Sequence, residues 1–424
     1  MKIYNLFPPL AGQLSDWQPH LTRAAELGFD WIFVNPIQKL GESGSLYSIA
    51  DYFQINPNWL DPDSKDSPEQ QVRATIQSAE KLGLRFMVDL VINHCAVDAS
   101  LVKEHPGWFI KDKHGNIVNP SCTHDNQKVV WRDLAQFNHK NAEDQEGLFQ
   151  LFSDIVSYLI ELGFKGFRCD AAYQIPTKTW RRLIERIKSK HPDVVFAAET
   201  LGCSAKQTKE TARSGFDYIF NSSKWWDFSG PWLLEQYELT RDIAPSISFP
   251  ESHDTDRLFQ ESGGNINAMK QRYLFSALFS SGIMMPMGFE YGLKKSLHVV
   301  KTRPDEWLPG EIDLTDFIKQ VNQIKSNHPI FQEESITEVI SCENPAILLM
   351  WKAAKQTNDE ALIILNKDPW NPQSFHSNDL YQYIQAEPPL IDVSPEWPMD
   401  YLPQPFHYDL PPGTGRVLVT QHDI

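Results

Sequence analysis

Short apolar runs and longer amphipathic stretches alternate eight times along the first three quarters of this chain. The apolar runs begin at Ile3, Trp31, Phe86, Gly166, Val195, Tyr218, Ser246 and Ile283. They are apolar throughout rather than at every second position, the pattern of strands buried on both faces of a parallel sheet. Between them, apolar positions recur at helical spacing over 17–27, 68–82, 142–162, 176–190, 204–212, 232–243, 266–280 and 314–326. Ser67 stands where an N-cap is wanted, Gly83 and Gly163 follow helix ends, and Pro176 marks a helix start. Eight strand–helix repeats with right-handed crossovers predict a closed (β/α)8 barrel of the α/β class.

Two segments break this rhythm. From Cys95 to Asn138 the chain is polar, rich in His and punctuated by Gly and Pro. A connection that long, after the third strand, predicts a subdomain standing over the C-terminal face. Beyond Ile330 the runs become Ala346 to Trp351, Ala361 to Leu365 and Arg416 to Val419, separated by Pro, Asn and Asp turns. That predicts a C-terminal antiparallel β domain. The expected organisation is a barrel over 1–94 and 139–330, an inserted subdomain over 95–138, and a β-sandwich over 331–424.

Composition narrows the partners. A net charge of −16 argues against nucleic acid or an anionic membrane. The chain enters a strand directly from Met1 and carries no apolar stretch of signal-peptide or membrane-span length. The five cysteines, at 95, 122, 169, 203 and 342, lack metal-site spacing and are odd in number, so a reducing cytoplasm is expected. Aromatic residues make up 12% of the chain, including 13 Trp, which serve either as core or as platforms for sugar rings.

Three acidic residues carry the candidate chemistry. Asp170, Glu199 and Asp254 each close one of the apolar runs. A lone carboxylate at a strand end is often structural. Three of them at the C-terminal ends of barrel strands stand where such barrels perform chemistry. Two carboxylates held about 5 Å apart across a glycosidic bond are the machinery of a retaining glycosidase. Arg168 and Asp170 are two residues apart on one strand and so face the same way. The guanidinium is expected to hold Asp170 ionised, while burial and neighbouring charge raise Glu199 so that it keeps a proton.

The phrases around these residues resemble the α-amylase family of glycoside hydrolases. Asp89 to His94 is similar to that family's first conserved region, Gly166 to Asp170 to its second, the strand ending at Glu199 to its third, and Ser252-His253-Asp254 to its fourth. Gly282 to Gly292 resembles its eighth-strand signature, and Leu46 to Tyr52 its sugar-stacking segment. The resemblance implies Asp170 as nucleophile, Glu199 as general acid/base and Asp254 as transition-state stabiliser. It implies Tyr47 stacking under the reacting ring, with His94, His253 and Arg168 around the substrate, a maltooligosaccharide or related α-glucoside. Tyr173, Lys224, Trp225 and Trp226 are candidates for the acceptor side.

The family's calcium site is represented only by Asn93. Gln136 stands where a carboxylate is wanted, so no cofactor or metal is expected. His105, His114, His124 and His139 lack zinc-ligand spacing and are expected in loop packing. Glu104 to Phe109, Asn221 to Lys224 and Leu365 to Pro369 resemble the branch of maltosyltransferases that uses maltose 1-phosphate. The expectation is a retaining hydrolase of α-1,4-glucosidic bonds. Its alternatives are a glycosyl transferase, including one dependent on a sugar phosphate, and a non-catalytic glycan-binding barrel.

Overall fold

The computed structural model describes all 424 residues except 125–126, 309, 387–388 and 421–424; the side chains of 122–127, Cys122 and His124 among them, lie outside the described residues as well. Eight parallel strands close a barrel: β1 (Lys2–Leu6), β2 (Trp31–Val34), β3 (Arg85–Leu90), β4 (Gly166–Cys169), β5 (Val195–Glu199), β6 (Tyr218–Phe220), β7 (Ser246–Ser248) and β8 (Gly282–Pro286). Their order around the barrel is β1-β8-β7-β6-β5-β4-β3-β2, so each strand pairs with its sequence neighbour. Every expected strand is present within a residue of its expected start.

The helices outside the barrel are α1 (Gln18–Glu26), α2 (Pro68–Glu80), α3 (Gln145–Leu162), α4 (Thr177–Lys188), α5 (Ala205–Ala212), α6 (Trp232–Thr240), α7 (Ile266–Phe279) and α8 (Thr315–Asn327). Local chemistry sets their ends. Ser67 and Ser204 each form a reciprocal capping box, with Gln70 and Gln207. Gly163 ends α3 at φ +112, a conformation that costs glycine little. Helix α3 starts three residues later than expected, because Asp144 caps it by accepting from the Gly147 amide.

The barrel interior is a separate apolar cluster containing Ile3, Trp31, Phe33, Met87, Ala197, Phe220, Ile247 and Met284. Two residues further along their strands, toward the C-terminal end, the inward positions become polar: Asn5, Asp89 and Glu199. Tryptophan and phenylalanine thus fill the lower layers, and the ionisable groups are left at the mouth.

The segment after β3 runs through a two-stranded pairing of His94–Ala96 with Leu134–Gln136 and a hairpin of Ser121–His124 with Gln127–Val130. At the C-terminus, β9 (Ile336–Ile340), β10 (Ile347–Ala353), β11 (Glu360–Asn366), β13 (Leu390–Asp392) and β15 (Gly415–Thr420) form one antiparallel sheet in the order β9-β10-β11-β15-β13. The second layer is narrower than a full sandwich sheet: it is the single pair β12 (Gln373–Ser377) and β14 (Phe406–Leu410). Side chains alternate across the large sheet. Leu348, Met350, Ile363, Leu365, Val417 and Val419 join the core that surrounds the barrel. Ile347, Leu349, Leu362, Ile364 and Leu418 pack with Phe375 and Phe406 of the small pair. Among the described residues, no helix is long and apolar enough to cross a membrane.

Candidate active site

The parallel register of β3 and β4 places Asp89 directly opposite Arg168. Both face the barrel axis, as do Asp170 and Glu199 one step nearer the mouth. The result is a single guanidinium ringed by four carboxylates. Arg168 Nη1 donates to Asp89 Oδ1 at 2.9 Å and to Asp170 Oδ1 at 2.8 Å. Its Nη2 lies 3.2 Å from Glu199 Oε2 and 3.6 Å from Asp254 Oδ2. The three expected acids therefore meet at one arginine. The side chains of Asp170 and Glu199 are 13% and 16% exposed, and that of Asp254 is 46% exposed, so the group opens to solvent on the Asp254 side.

Four carboxylates against one cation leave an excess of negative charge in a largely buried pocket. Burial and the charges of Asp170 and Asp254 push Glu199 up to about 7, against the pull of Arg168. Burial pushes Asp89 up to about 8. The expectation that Arg168 holds Asp170 low is overturned. Burial raises the Asp170 carboxyl above its ordinary value, and the Asp254 charge adds to the rise that Arg168 opposes. The sequence shows the i, i+2 pairing but neither the depth of the pocket nor the number of acids that share the cation.

Backbone geometry supports Glu199 directly. Ala171 follows Asp170 with φ +43, a left-handed conformation uncommon for a residue with a Cβ. It turns the Ala171 amide toward Glu199 Oε2, which accepts it at 2.7 Å. A strained turn beside candidate chemistry is where such conformations concentrate.

Tyr47 lies against this group with its hydroxyl fully engaged. It donates to Asp89 Oδ2 at 2.6 Å, accepts from Asn35 Nδ2 at 3.0 Å, and is 2.7 Å from His253 Nε2. Its ring stacks on His253 at 5.9 Å and 11°. With the oxygen committed, the ring face is what Tyr47 can offer a sugar. His253 Nε2 is also 3.1 Å from Asp254 Oδ2. Burial lowers both His94 and His253 to about 4, so both rings are neutral at physiological pH. His94 Nε2 and His253 Nδ1 are buried without a protein partner.

The acceptor-side candidates divide. Tyr173 sits half-buried in the turn Ala172–Gln174, directly after the Asp170–Ala171 corner. Lys224 is not free to meet a substrate: its Nζ lies 2.8 Å from Glu261 Oε2, and its side chain is 6% exposed. Trp225 is 51% exposed beside Phe249. Trp226 is a correction, because it is core. Its indole donates to Gly230 O and packs on Phe228 and Phe275.

At the position where the resemblance puts calcium, Asn93 Oδ1 is buried without a protein partner. Asn93 Nδ2 donates to Gln174 Oε1 at 3.0 Å, and Gln136 pairs with His94 in a β ladder. Among the described residues no group of three or more His, Cys, Asp or Glu side chains could hold a metal. Of the loop histidines, His105 stacks on Trp108, His139 Nε2 lies 2.9 Å from Ile92 O, and the side chain of His124 is outside the described residues.

Sequence reasoning overlooked Asp89 as a site residue, although the phrase Asp89 to His94 contains it. Its position one residue before the end of β3, opposite Arg168, is the signal. It also overlooked Asn35, which directs the Tyr47 hydroxyl, and the buried pair Glu251–Arg257. Glu251 Oε1 is 2.7 Å from Arg257 Nη1, and its Oε2 accepts from the Leu258 amide. That clamp closes the loop carrying His253 and Asp254.

Comparison with known proteins gives the same frame. The family model for the glycogen debranching enzyme glucanotransferase domain matches residues 1–109. An alpha-1,4-glucan:maltose-1-phosphate maltosyltransferase from Burkholderia pseudomallei is 26% identical over 377 residues, covering 86% of this chain and 32% of the relative. A protein of the same description from Myxococcus xanthus is 24% identical over 404 residues, covering 88% of this chain and 58% of the relative. The chain thus spans 32% to 58% of the length of these relatives. An α-amylase structure from Lactobacillus plantarum superposes with a TM-score of 0.78 at 18% identity, covering 99% of this chain and 98% of that one. An α-amylase from Geobacillus thermoleovorans, complexed with acarbose, gives a TM-score of 0.78 at 16% identity, covering 100% and 98%. The resemblance to the α-amylase family expected from the motifs is present in the fold, and the sequence relatives include its maltosyltransferases.

Proposed function

We propose that this chain is a retaining α-glucan-active enzyme that transfers a glycosyl unit through a covalent intermediate on Asp170. The observation that carries the reading is the convergence of Asp170, Glu199 and Asp254 on Arg168, with Glu199 raised to about 7. In the first step an Asp170 oxygen attacks the anomeric carbon. The bond to the leaving oxygen breaks, and Glu199 donates its proton to that oxygen. In the second step Glu199 takes a proton from the incoming hydroxyl, which displaces Asp170 and restores the starting configuration. Arg168 balances part of the charge on Asp170 throughout, and Asp254 faces the positive charge that develops on the sugar ring. Tyr47 supplies a flat surface beside the donor ring. Neutral His94 and His253 offer hydrogen bonds to its hydroxyls.

The relatives' description as maltosyltransferases favours a sugar hydroxyl over water as the acceptor. Hydrolysis is the second reading, favoured by the half-exposed Asp254, which leaves the site open to water, and by the amylases among the structural neighbours. Use of a sugar phosphate gains nothing from Lys224, whose charge is already matched by Glu261. The discriminating experiment incubates the purified protein with maltooligosaccharides, with and without orthophosphate, and resolves products by chromatography. Redistribution of chain lengths with the number of reducing ends conserved supports transfer. A rise in the number of reducing ends establishes hydrolysis, and no turnover with any α-glucan overturns the proposal.

A further inference from the structure

Two of the three acids are placed by the barrel itself. Glu199 is the last residue of β5. Asp170 stands one residue past β4, and its amide donates to Leu90 O, at the end of β3, at 3.1 Å. Asp254 lies outside the strands, six residues beyond the end of β7. Arg168 Nη2 stands 3.6 Å from its Oδ2, beyond the length of a good hydrogen bond. A carboxylate that faces charge developing on a sugar ring must still be held to within a fraction of an ångström. The loop that carries it has to supply the precision that a strand gives the other two.

That loop is closed by polar contacts at every level. Within it, the Asp254 amide donates to Ser252 Oγ at 3.2 Å, and the Ser252 amide donates to Thr255 Oγ1 at 3.0 Å. At its base, Glu251 reaches across six residues. Its Oε1 accepts from Arg257 Nη1 at 2.7 Å, and its Oε2 accepts from the Leu258 amide at 2.6 Å. Both side chains are 1% exposed. The other nitrogens of Arg257 grip the segment after β8: Nη2 donates to Met287 O at 2.9 Å and Nε to Lys295 O at 3.2 Å. Gly288 leaves room for this grip, since a Cβ there would lie 3.1 Å from Nη2. The Met287 amide donates in turn to Asn5 O of β1 at 2.9 Å. On the other flank, the short helix Leu258–Glu261 is tied to the loop after β6, where Lys224 Nζ meets Glu261 Oε2 at 2.8 Å.

An ion pair sealed from water adds little net stability, because both groups lose their hydration; apolar side chains of similar size often serve stability as well. What this pair adds is direction. It makes four hydrogen bonds of fixed geometry, and the planar fork of Arg257 joins the base of the loop to the backbone beyond β8.

We propose that Glu251 and Arg257 are positioning residues for the reaction, holding the 252–256 turn so that Asp254 faces the donor ring. The inference rests on the catalytic reading above. It requires that loss of the pair lower turnover through Asp254 and not through the site at large.

The test is a double-mutant cycle of Glu251→Gln with Asp254→Asn. The donor is an α-maltooligosyl fluoride with a glucan acceptor present, and fluoride release gives kcat/KM well below the melting transition of every variant. Glu251→Gln keeps an oxygen for the Leu258 amide and removes the charge opposite Arg257. In the parent it is expected to lower kcat/KM roughly 10- to 100-fold, the effect of a misplaced reacting group. In the Asp254→Asn background, where the carboxylate to be positioned is gone, the same change is expected to alter kcat/KM by less than about twofold. The fall in melting temperature, a purely structural readout, is expected to be the same in both backgrounds. Where Glu251→Gln gives no cooperative melt, Arg257→Lys enters the cycle in its place, since it keeps the charge and loses the fork. Equal losses of kcat/KM in the two backgrounds overturn positioning through Asp254 and leave the catalytic reading standing. So does a folded Glu251→Gln protein with parental kcat/KM. Parental activity in Asp254→Asn alone removes Asp254 from the catalytic reading, and this inference with it.

Discussion

Replacing Glu199 with Gln is expected to cripple the enzyme and stabilise the protein, both for the same electrostatic reason. The Glu199 carboxyl, ordinarily near 4.5, is raised to about 7 by burial and by the charges of Asp170 and Asp254. That difference corresponds to about 3 kcal/mol by which the folded site favours the protonated form. A carboxyl raised on folding destabilises the native state as pH climbs, because the unfolded chain releases the proton first. The penalty is absent below about pH 4.5, grows between 4.5 and 7, and is complete above 7. Glutamine keeps the oxygen that accepts from the Ala171 amide and removes the charge. Glu199→Gln should therefore gain up to about 3 kcal/mol of stability at pH 8 and close to nothing at pH 4. Turnover of an unactivated α-glucan should fall roughly 10²- to 10⁴-fold, the usual worth of a general acid. The first step on an α-glycosyl fluoride, whose leaving group needs no proton, should survive. Thermal melts at pH 4 and pH 8, paired with rates on both donors, read these effects together. A Tm that drops at pH 8, or shifts equally at both pH values, would refute the charge-excess account of the site. Equal losses on the glucan and the fluoride would remove Glu199 as the acid.

Other outcomes follow from the same geometry. Activity of the parent protein on an unactivated glucan should fall as pH rises through about 7, since the acid form of Glu199 is the working one; a flat profile to pH 9 contradicts this. Asp170→Ala should cost about 10⁴-fold or more in turnover while the protein stays folded, because covalent catalysis is lost from an open site; near-parental activity in a folded variant excludes Asp170 as nucleophile. EDTA should leave both the melting temperature and activity unchanged, because Gln136 offers no carboxylate where one is wanted; a large loss restored by calcium would show a metal site built from Asn93 Oδ1 and other oxygens. Lys224→Ala should lower transfer and hydrolysis by the same small factor, within about threefold, since its amine serves Glu261. A selective loss of transfer would put Lys224 in contact with the acceptor.

Much of the barrel was legible because buried parallel strands leave no ambiguity of face. Trp31 to Val34 are all buried, so an unbroken apolar run was the correct sign. Helix ends were legible where a side chain closes them, as at Ser67 and Gly163. The site was legible as far as one strand could show it: Arg168 and Asp170 share a face by spacing alone. What joins strands was not. That Asp89 meets Arg168 depends on the register of β3 against β4, and the direction of the Asp170 shift depends first on how deeply that carboxyl is buried and then on the Asp254 charge. Trp225 and Trp226 look alike in sequence, but a one-residue difference in the turn after β6 puts one in solvent and the other in the core. The C-terminal domain was read as a sandwich from its alternating runs. Its second layer is one strand pair, because the barrel's outer core covers the other face of the large sheet.

The central claim is that Asp170 and Glu199 act in double displacement, and the configuration of the first product tests it most directly. Proton NMR of the anomeric region, recorded during the first turnovers on an α-linked donor before mutarotation, should show the new bond or the free sugar with the α configuration, whether the acceptor is a sugar or water. First products carrying the β configuration would contradict the account, since they require a single displacement in which Asp170 forms no covalent bond.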